Sequence, residues 1–75
     1  MPKRHAVLTA FGLNVRRQRE ARKLTQEALA EKASLHPTYI SGIERGTRNP
    51  SLLSIARIAS ALGISTPKLT EGLGK

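Results

Sequence analysis

Apolar residues recur at helical spacing between Gln26 and Glu44, near the middle of the sequence. Their positions fit two short helices, each with one face turned toward a shared interior. The apolar or small residues on these faces are Leu29, Ala30, Ala33, Leu35, Ile40 and Ile43. A side chain larger than that of Ala30 would hold the two helices apart where they cross. The pattern predicts a steeply crossed helix pair, which is typical of proteins that read duplex DNA but also occurs in other small helical bundles.

Polar residues and prolines mark the ends of this helix pair. Thr25 can cap the first helix, because its hydroxyl can accept a hydrogen bond from a first-turn amide. The second helix is predicted to begin near His36 or Pro37, since proline fits the first helical position without losing a hydrogen bond. Gly46 is predicted to end it in the left-handed conformation.

A further helix is predicted before this pair, from about Val7 to Lys23. One stripe of it is apolar or small and consists of Leu8, Phe11, Gly12 and Val15. The polar residues expected to face water are Asn14, Arg16, Arg17, Arg22 and Lys23. Arg19 falls on the buried stripe, where a charge requires a partner, and Glu44 is the best candidate. The alternative is that the Arg19 side chain extends to solvent.

Two more helices are predicted after the pair. Thr47 to Pro50 form a loop, Ser51 caps a fourth helix, and Gly63 closes it. Its inward positions are Leu52, Ile55, Ile58, Ala59 and Leu62. A short last helix runs from Thr66 or Pro67 to about Gly72. The predicted fold class is therefore all-α, a compact five-helix domain over residues 7–72 that follows a basic tail over residues 1–6.

Composition favours a polyanionic partner. The 75 residues include 13 Lys and Arg against 5 Asp and Glu, which gives a formal net charge of +8. Charge alone does not separate a DNA reader from a ribosomal protein, a histone-like protein or a membrane-surface peptide. With one Phe, one Tyr and no Trp, the chain is poorly equipped to stack on single strands.

The residues needed for catalysis or metal binding do not occur in useful arrangements. We find no nucleophile–His–acid set, no carboxylate pair at useful spacing and no phosphate loop, so we expect no enzyme activity and no cofactor. Cysteine is absent, and His5 and His36 lie far apart, so no metal site is expected. Glu20, Glu27 and Glu31 fit solvated helix faces. No apolar run is long enough to span a bilayer and no signal peptide is evident, so no membrane partner and a cytoplasmic, nucleoid-associated location are predicted.

Several short motifs identify a family resemblance. They are Leu24-Thr25-Gln26, Leu29-Ala30, Tyr39-Ile40-Ser41, Ile43-Glu44-Arg45-Gly46 and Arg48-Asn49-Pro50-Ser51-Leu52. Together they resemble the helix-turn-helix family of Cro and the phage repressors (XRE-like), over roughly residues 8–69. The run TYISGIERGTRNPS looks particularly like the controller proteins of restriction–modification systems. The resemblance implies an Arg19–Glu44 ion pair, and Ser34 departs from the glycine that such proteins usually carry in the turn.

The helix ends indicate how such a domain would hold DNA. An exposed helix N-terminus suits a phosphate oxygen, so Gln26 is expected to contact the DNA backbone at the start of the first helix of the pair. Arg48, Asn49 and Ser51 are expected to form a second backbone clamp. The alternatives are a solvated loop charge for Arg48 and a turn residue for Asn49. His36 could donate to a phosphate or be an ordinary surface histidine.

Base reading is expected from the outward side of the recognition helix, the second helix of the pair. The candidates are Pro37, Thr38 and Ser41, followed by Tyr39, Gly42 and Arg45. Since the first turn lacks Arg and Gln, hydroxyl and methyl contacts together with DNA shape would carry much of the specificity. Controller-like proteins commonly have a charged residue in place of Pro37. Tyr39 could pack against sugar-phosphate or be a half-buried core residue.

A domain of this size is expected to bind DNA as a homodimer on a two-fold symmetric operator. The apolar residues proposed for the dimer interface are Leu53, Ile64, Leu69 and Leu73. The partners are therefore double-stranded DNA, a second copy of the chain and, for an activator, RNA polymerase. The favoured hypothesis is a transcriptional regulator, with a restriction–modification controller as the specific case. Three other hypotheses stay open: an antitoxin-type autorepressor, a protein-interaction adaptor and a non-specific DNA-coating protein.

Overall fold

The chain folds into helices alone over the part that the structure, a computed structural model, describes, which is residues 5–74. The helices are α1 (Ala6–Ala21), α2 (Gln26–Ala33), α3 (Pro37–Glu44), α4 (Leu52–Leu62) and α5 (Thr66–Leu69). The predicted all-α, five-helix class is therefore confirmed. The predicted tail lies mostly outside the described residues, and of it we describe only His5, an exposed residue at the start of α1, and Ala6, which begins that helix.

Side chains cap four of the helices at their N-termini. The Thr25 hydroxyl accepts from the N–H of Ala28 at 3.0 Å, as predicted for α2. The Ser51 hydroxyl accepts from the N–H of Ser54 at 3.1 Å in α4, and Ser65 caps α5 in the same way. His36 caps α3 through its imidazole ring, which the sequence did not indicate. Each cap satisfies an amide that the helix leaves without a partner.

A left-handed residue follows the end of four helices, and the recognition helix is one of them. Gly46 has a φ of 76° and follows the end of α3, and Gly63 has a φ of 71° and closes α4, both as predicted. Ser34 ends α2 with a φ of 57°, so this turn uses the positive φ without a glycine. Lys23 also has a φ of 56°, and for this reason α1 ends at Ala21 rather than at Lys23.

The core lies where α2 packs against α3 and α4 and where α1 packs against α3. Its buried apolar residues are Phe11, Val15, Leu29, Ala30, Ala33, Ile40, Ile43, Ile58, Ala59, Leu62 and Leu69. Ala30 is only 1% exposed, in keeping with the close helix crossing predicted around it. This core fixes the direction in which α3 presents its outer side.

Gly12 allows α1 to lie directly against the end of α3. A Cβ atom at Gly12 would lie 2.3 Å from the carbonyl oxygen of Ile43 and 2.7 Å from that of Glu44. Both distances are shorter than atoms of a folded protein can adopt, and the obstacles are backbone atoms that cannot move alone. The orientation of the recognition helix therefore depends on the missing side chain at this position.

Three predicted positions are corrected by the structure. Leu52 is 77% exposed rather than inward, because it is the first residue of α4 and Ser54 occupies the buried stripe instead. Asn14 does not face water, since its amide donates to the carbonyl oxygens of Leu69 at 2.9 Å and Glu71 at 3.0 Å. These bonds hold the chain after α5, which ends at Leu69 and not near Gly72.

Leu69 cannot serve in the predicted dimer interface of this fold. Its side chain is fully buried within the single chain, as part of the core between α5 and the neighbouring helices. Ile64 and Leu73 are half-buried and pack against that core. Leu53, in contrast, is 60% exposed at the start of α4. None of the described helices is long and apolar enough to cross a membrane.

Candidate nucleic-acid interface

The exposed side of α3 carries small polar groups and one arginine. Thr38 and Arg45 are exposed, and Ser41 is half-buried between them. The Arg45 guanidinium donates to the hydroxyl of Ser41, which lies one helical turn earlier. This side therefore offers a methyl group, two hydroxyls and a cation, as predicted from the sequence of the helix.

The N-terminus of α3 is ordered by the His36 imidazole. Its Nδ1 accepts from the N–H of Thr38 at 3.0 Å, which requires a neutral ring with the proton on Nε2. Pro37 follows at the first helical position and is half-buried. His36 thus has a structural role in the free protein, and its Nε2–H stays available as a donor.

The loop after α3 is fastened to that helix by backbone bonds. The N–H of Thr47 donates to the carbonyl oxygen of Gly42 at 2.9 Å, and the Thr47 hydroxyl donates to the same oxygen at 3.1 Å. At the far end of the loop, the N–H of Ser51 donates to the Tyr39 hydroxyl at 3.3 Å. The loop and the recognition helix therefore present one continuous surface.

Arg48 and Asn49 are both exposed in this loop. The guanidinium carbon of Arg48 lies 6.0 Å from the centre of the Tyr39 ring, within the range of a cation–π contact. Tyr39 itself is half-buried and packs against the core, so the structure favours the alternative of a half-buried core residue. Gly42 is buried under the Arg48 stem and does not face outward as an open position.

A buried ion pair joins α1 to α3 behind this surface. The Arg19 Nε donates to Glu44 Oε2 at 2.7 Å, and its Nη2 donates to Oε1 at 3.0 Å. The side chains of Arg19 and Glu44 are 12% and 3% exposed, so the pair is largely shielded from water. The hydrogen bonds that Arg19 donates to the Glu44 carboxylate raise the pKa of Arg19, which keeps the guanidinium charged. Arg19 also donates to the carbonyl oxygen of Leu24 at 2.7 Å.

Gln26 belongs to the same network. Its Nε2 donates to Glu44 Oε1 at 3.0 Å, which fixes the amide at the start of α2 while leaving it half-exposed. The second N–H of this amide is the donor that a phosphate oxygen could take. The network therefore couples the position of Gln26 to the end of the recognition helix.

The electrostatics of the helix ends suit an anion. Neither α3 nor α4 has an acidic residue in its first turn, so the partial positive charge of each N-terminus is not offset locally. Ser51 is an exception among the predicted clamp residues, because its N–H and hydroxyl already donate to Tyr39 and Ser54. The free first-turn amides of α4 that follow Ser51 are better placed as donors.

The predicted Arg19–Glu44 ion pair is confirmed, but the sequence missed other contacts among these residues. It did not indicate the His36 cap, the Tyr39–Ser51 bond or the burial of Gly42 under Arg48. A proline after His36 is the one sequence signal that marked a helix start there. Among the described residues, no group of three or more His, Cys, Asp or Glu side chains could hold a metal ion.

Comparison with known proteins finds a matching family and several similar proteins. A family profile described as helix-turn-helix matches residues 15–69. The chain is 48% identical to the control protein C.BamHI of Bacillus amyloliquefaciens over 62 residues, which cover 81% of this chain and 76% of that protein. It is also 48% identical to the control protein C.SmaI of Serratia marcescens over 61 residues, covering 81% of this chain and 73% of the relative.

Solved structures of controller proteins are also similar to this chain. The restriction–modification controller protein C.AhdI of Aeromonas hydrophila superimposes with a TM-score of 0.85 at 43% identity, covering 87% of this chain and 98% of that one. The controller protein C.Esp1396I, solved as a tetramer on its natural 35-base-pair operator, gives a TM-score of 0.83 at 36% identity over 92% of this chain and 91% of its own.

Proposed function

This chain belongs to the helix-turn-helix family of transcriptional regulators, and from that premise we propose that it binds a specific duplex operator as a homodimer and controls transcription there. The observation that carries the proposal is the continuous surface of α3 and the loop after it, with Thr38, Arg45 and Arg48 exposed along it. Family members act through DNA binding, so we assign no catalytic step to the chain.

DNA binding follows from the geometry of this surface. The recognition helix α3 enters the major groove with Pro37, Thr38 and Ser41 nearest the bases. Gln26 at the start of α2 contacts the phosphate backbone on one side. Arg48, Asn49 and the first turn of α4 contact the phosphate backbone on the other side. The His36 Nε2–H at the start of α3 is a further donor for a phosphate oxygen.

The proposed dimer surface uses apolar side chains, whereas the proposed DNA contacts at the start of α4 use its backbone amides. Leu52 and Leu53, at the start of α4, are 77% and 60% exposed and are the two most exposed large apolar side chains among the described residues. Ile64 and Leu73 are further candidates for this surface, since both are incompletely covered by the core. Two-fold recognition requires that the second copy present its own α3 to the same face of the duplex.

The specific case that we propose is a controller of restriction–modification genes that acts in the cytoplasm on its own promoter. The similarity to C.BamHI and C.SmaI supports it over an antitoxin-type autorepressor. A controller that activates transcription would also contact RNA polymerase.

Selection of bound sites from a random duplex library, at about physiological salt, tests the proposal. We expect a two-fold symmetric consensus whose half-sites lie about one helical turn apart. Backbone contacts alone give only weak, roughly micromolar or poorer binding without sequence preference. Recovery of no consensus would contradict the proposal and favour the DNA-coating or adaptor reading.

A further inference from the structure

Gly42 lies in the middle of the recognition helix, on the side that faces away from the core, yet it is buried. Its helical neighbours Thr38 and Arg45, one turn before and after it, are both exposed. The group that covers Gly42 is therefore not part of the core.

The covering group is the aliphatic stem of Arg48. A Cβ atom at Gly42 would lie 2.5 Å from the Arg48 Cγ and 3.5 Å from its Cβ and Cδ. The stem thus occupies the volume that a side chain at position 42 would fill. Arg48 comes from the loop, but it takes the place of a missing side chain of α3.

Contacts on both sides hold Arg48 in that place. The backbone before it is tied to α3 by the two hydrogen bonds from Thr47 to the carbonyl oxygen of Gly42. Its guanidinium lies over the Tyr39 ring at 6.0 Å, and the Tyr39 hydroxyl in turn accepts from the N–H of Ser51. A long, rotamer-rich side chain is in this way ordered before any DNA arrives.

We propose that Gly42 is a positioning residue for DNA recognition, because its lack of a side chain seats Arg48 against the recognition helix, where the guanidinium enters the major groove together with α3. The inference rests on the proposed function. In this proposal Arg48 contacts bases and discriminates the operator from other DNA, instead of contacting only the phosphate backbone. A planar guanidinium held in one orientation suits bidentate contact with guanine.

Replacing Gly42 by alanine isolates this role from folding. The added methyl group meets side-chain atoms of Arg48, which can rotate away, and the hydrogen bonds to the Gly42 carbonyl remain. Alanine is also a better residue than glycine inside a helix. We therefore expect Gly42→Ala to keep or raise the thermal midpoint of unfolding while displacing the Arg48 stem from its contact with position 42.

The experiment is a double-mutant cycle of Gly42→Ala and Arg48→Ala, with binding measured to the selected operator and to a scrambled duplex at one salt concentration. Losing the ordered guanidinium is expected to weaken operator binding about tenfold in either single variant. The double variant should bind no more weakly than Arg48→Ala alone, since Gly42 acts through Arg48. Gly74→Ala is the matched control, because nothing lies within 4 Å of a Cβ atom there.

Three results would overturn the inference. Unchanged operator discrimination in Gly42→Ala would show that DNA recognition does not need the contact between Gly42 and the Arg48 stem. A double variant weakened by the product of the two single effects would show that Gly42 acts independently of Arg48. Wild-type protein that binds both duplexes equally would overturn the proposed function itself, and this inference with it.

Discussion

Removal of the Glu44 carboxylate should destabilise the whole domain, because it leaves the Arg19 charge buried without its partner. The two side chains are 12% and 3% exposed, and both carboxylate oxygens accept from the guanidinium. Breaking a pair of this kind by removing one partner costs about 3–5 kcal/mol. A chain of 75 residues has a free energy of unfolding of about 4–11 kcal/mol, so Glu44→Ala should remove about a quarter of it or more.

Urea unfolding followed by circular dichroism measures this cost, and the double variant Arg19→Met/Glu44→Leu provides the control. Since it removes both charges, we expect it to be more stable than Glu44→Ala alone, despite losing the bond from Arg19 to the Leu24 carbonyl. A loss below about 1 kcal/mol in Glu44→Ala, as for a surface pair, would refute the reasoning. Because Glu44 raises the pKa of Arg19, the contribution of the pair through Arg19 is fully present at neutral pH and is lost only above the ordinary arginine pKa.

Three further variants test the fold and the proposed assembly. Gly12→Ala should lower the free energy of unfolding by about 1–3 kcal/mol, since its methyl group would overlap backbone oxygens of α3, and an unchanged urea midpoint would contradict this. Ser34→Gly should raise the free energy of unfolding by about 0.5–1 kcal/mol, because glycine adopts the left-handed conformation at position 34 without the strain of a side chain. A lower thermal midpoint would contradict this prediction. Leu53→Glu should give a monomer by analytical ultracentrifugation with an unchanged helical spectrum, and a persisting dimer would move the interface elsewhere.

The helix pair could be predicted from the sequence because several local signals agree there. The Thr25 cap marks the start of α2, the proline marks the start of α3, and the apolar period agrees with both boundaries. The position of Arg19 on a buried stripe indicated that its charge needs a partner, and the family resemblance identified that partner as Glu44, 25 residues later.

Features that depend on distant parts of the chain were not predictable in this way. Asn14 bonds carbonyl groups 55 and 57 residues later, so no local pattern marks it as a tether. Leu52 fits the apolar period of α4, but the cap fixes the start of the helix and leaves this residue outside the core. The contact between Gly42 and the Arg48 stem exists only because the loop after α3 folds back over Gly42.

The most direct test of the central claim is the ratio of affinities for the selected operator and a scrambled duplex of equal length, measured by fluorescence anisotropy at about physiological salt. Sequence-specific regulators bind their sites about 10³-fold or more tightly than other DNA. We predict a ratio of that order for this protein. Equal affinities for the two duplexes would contradict the account and leave a basic helical domain that binds DNA by charge alone.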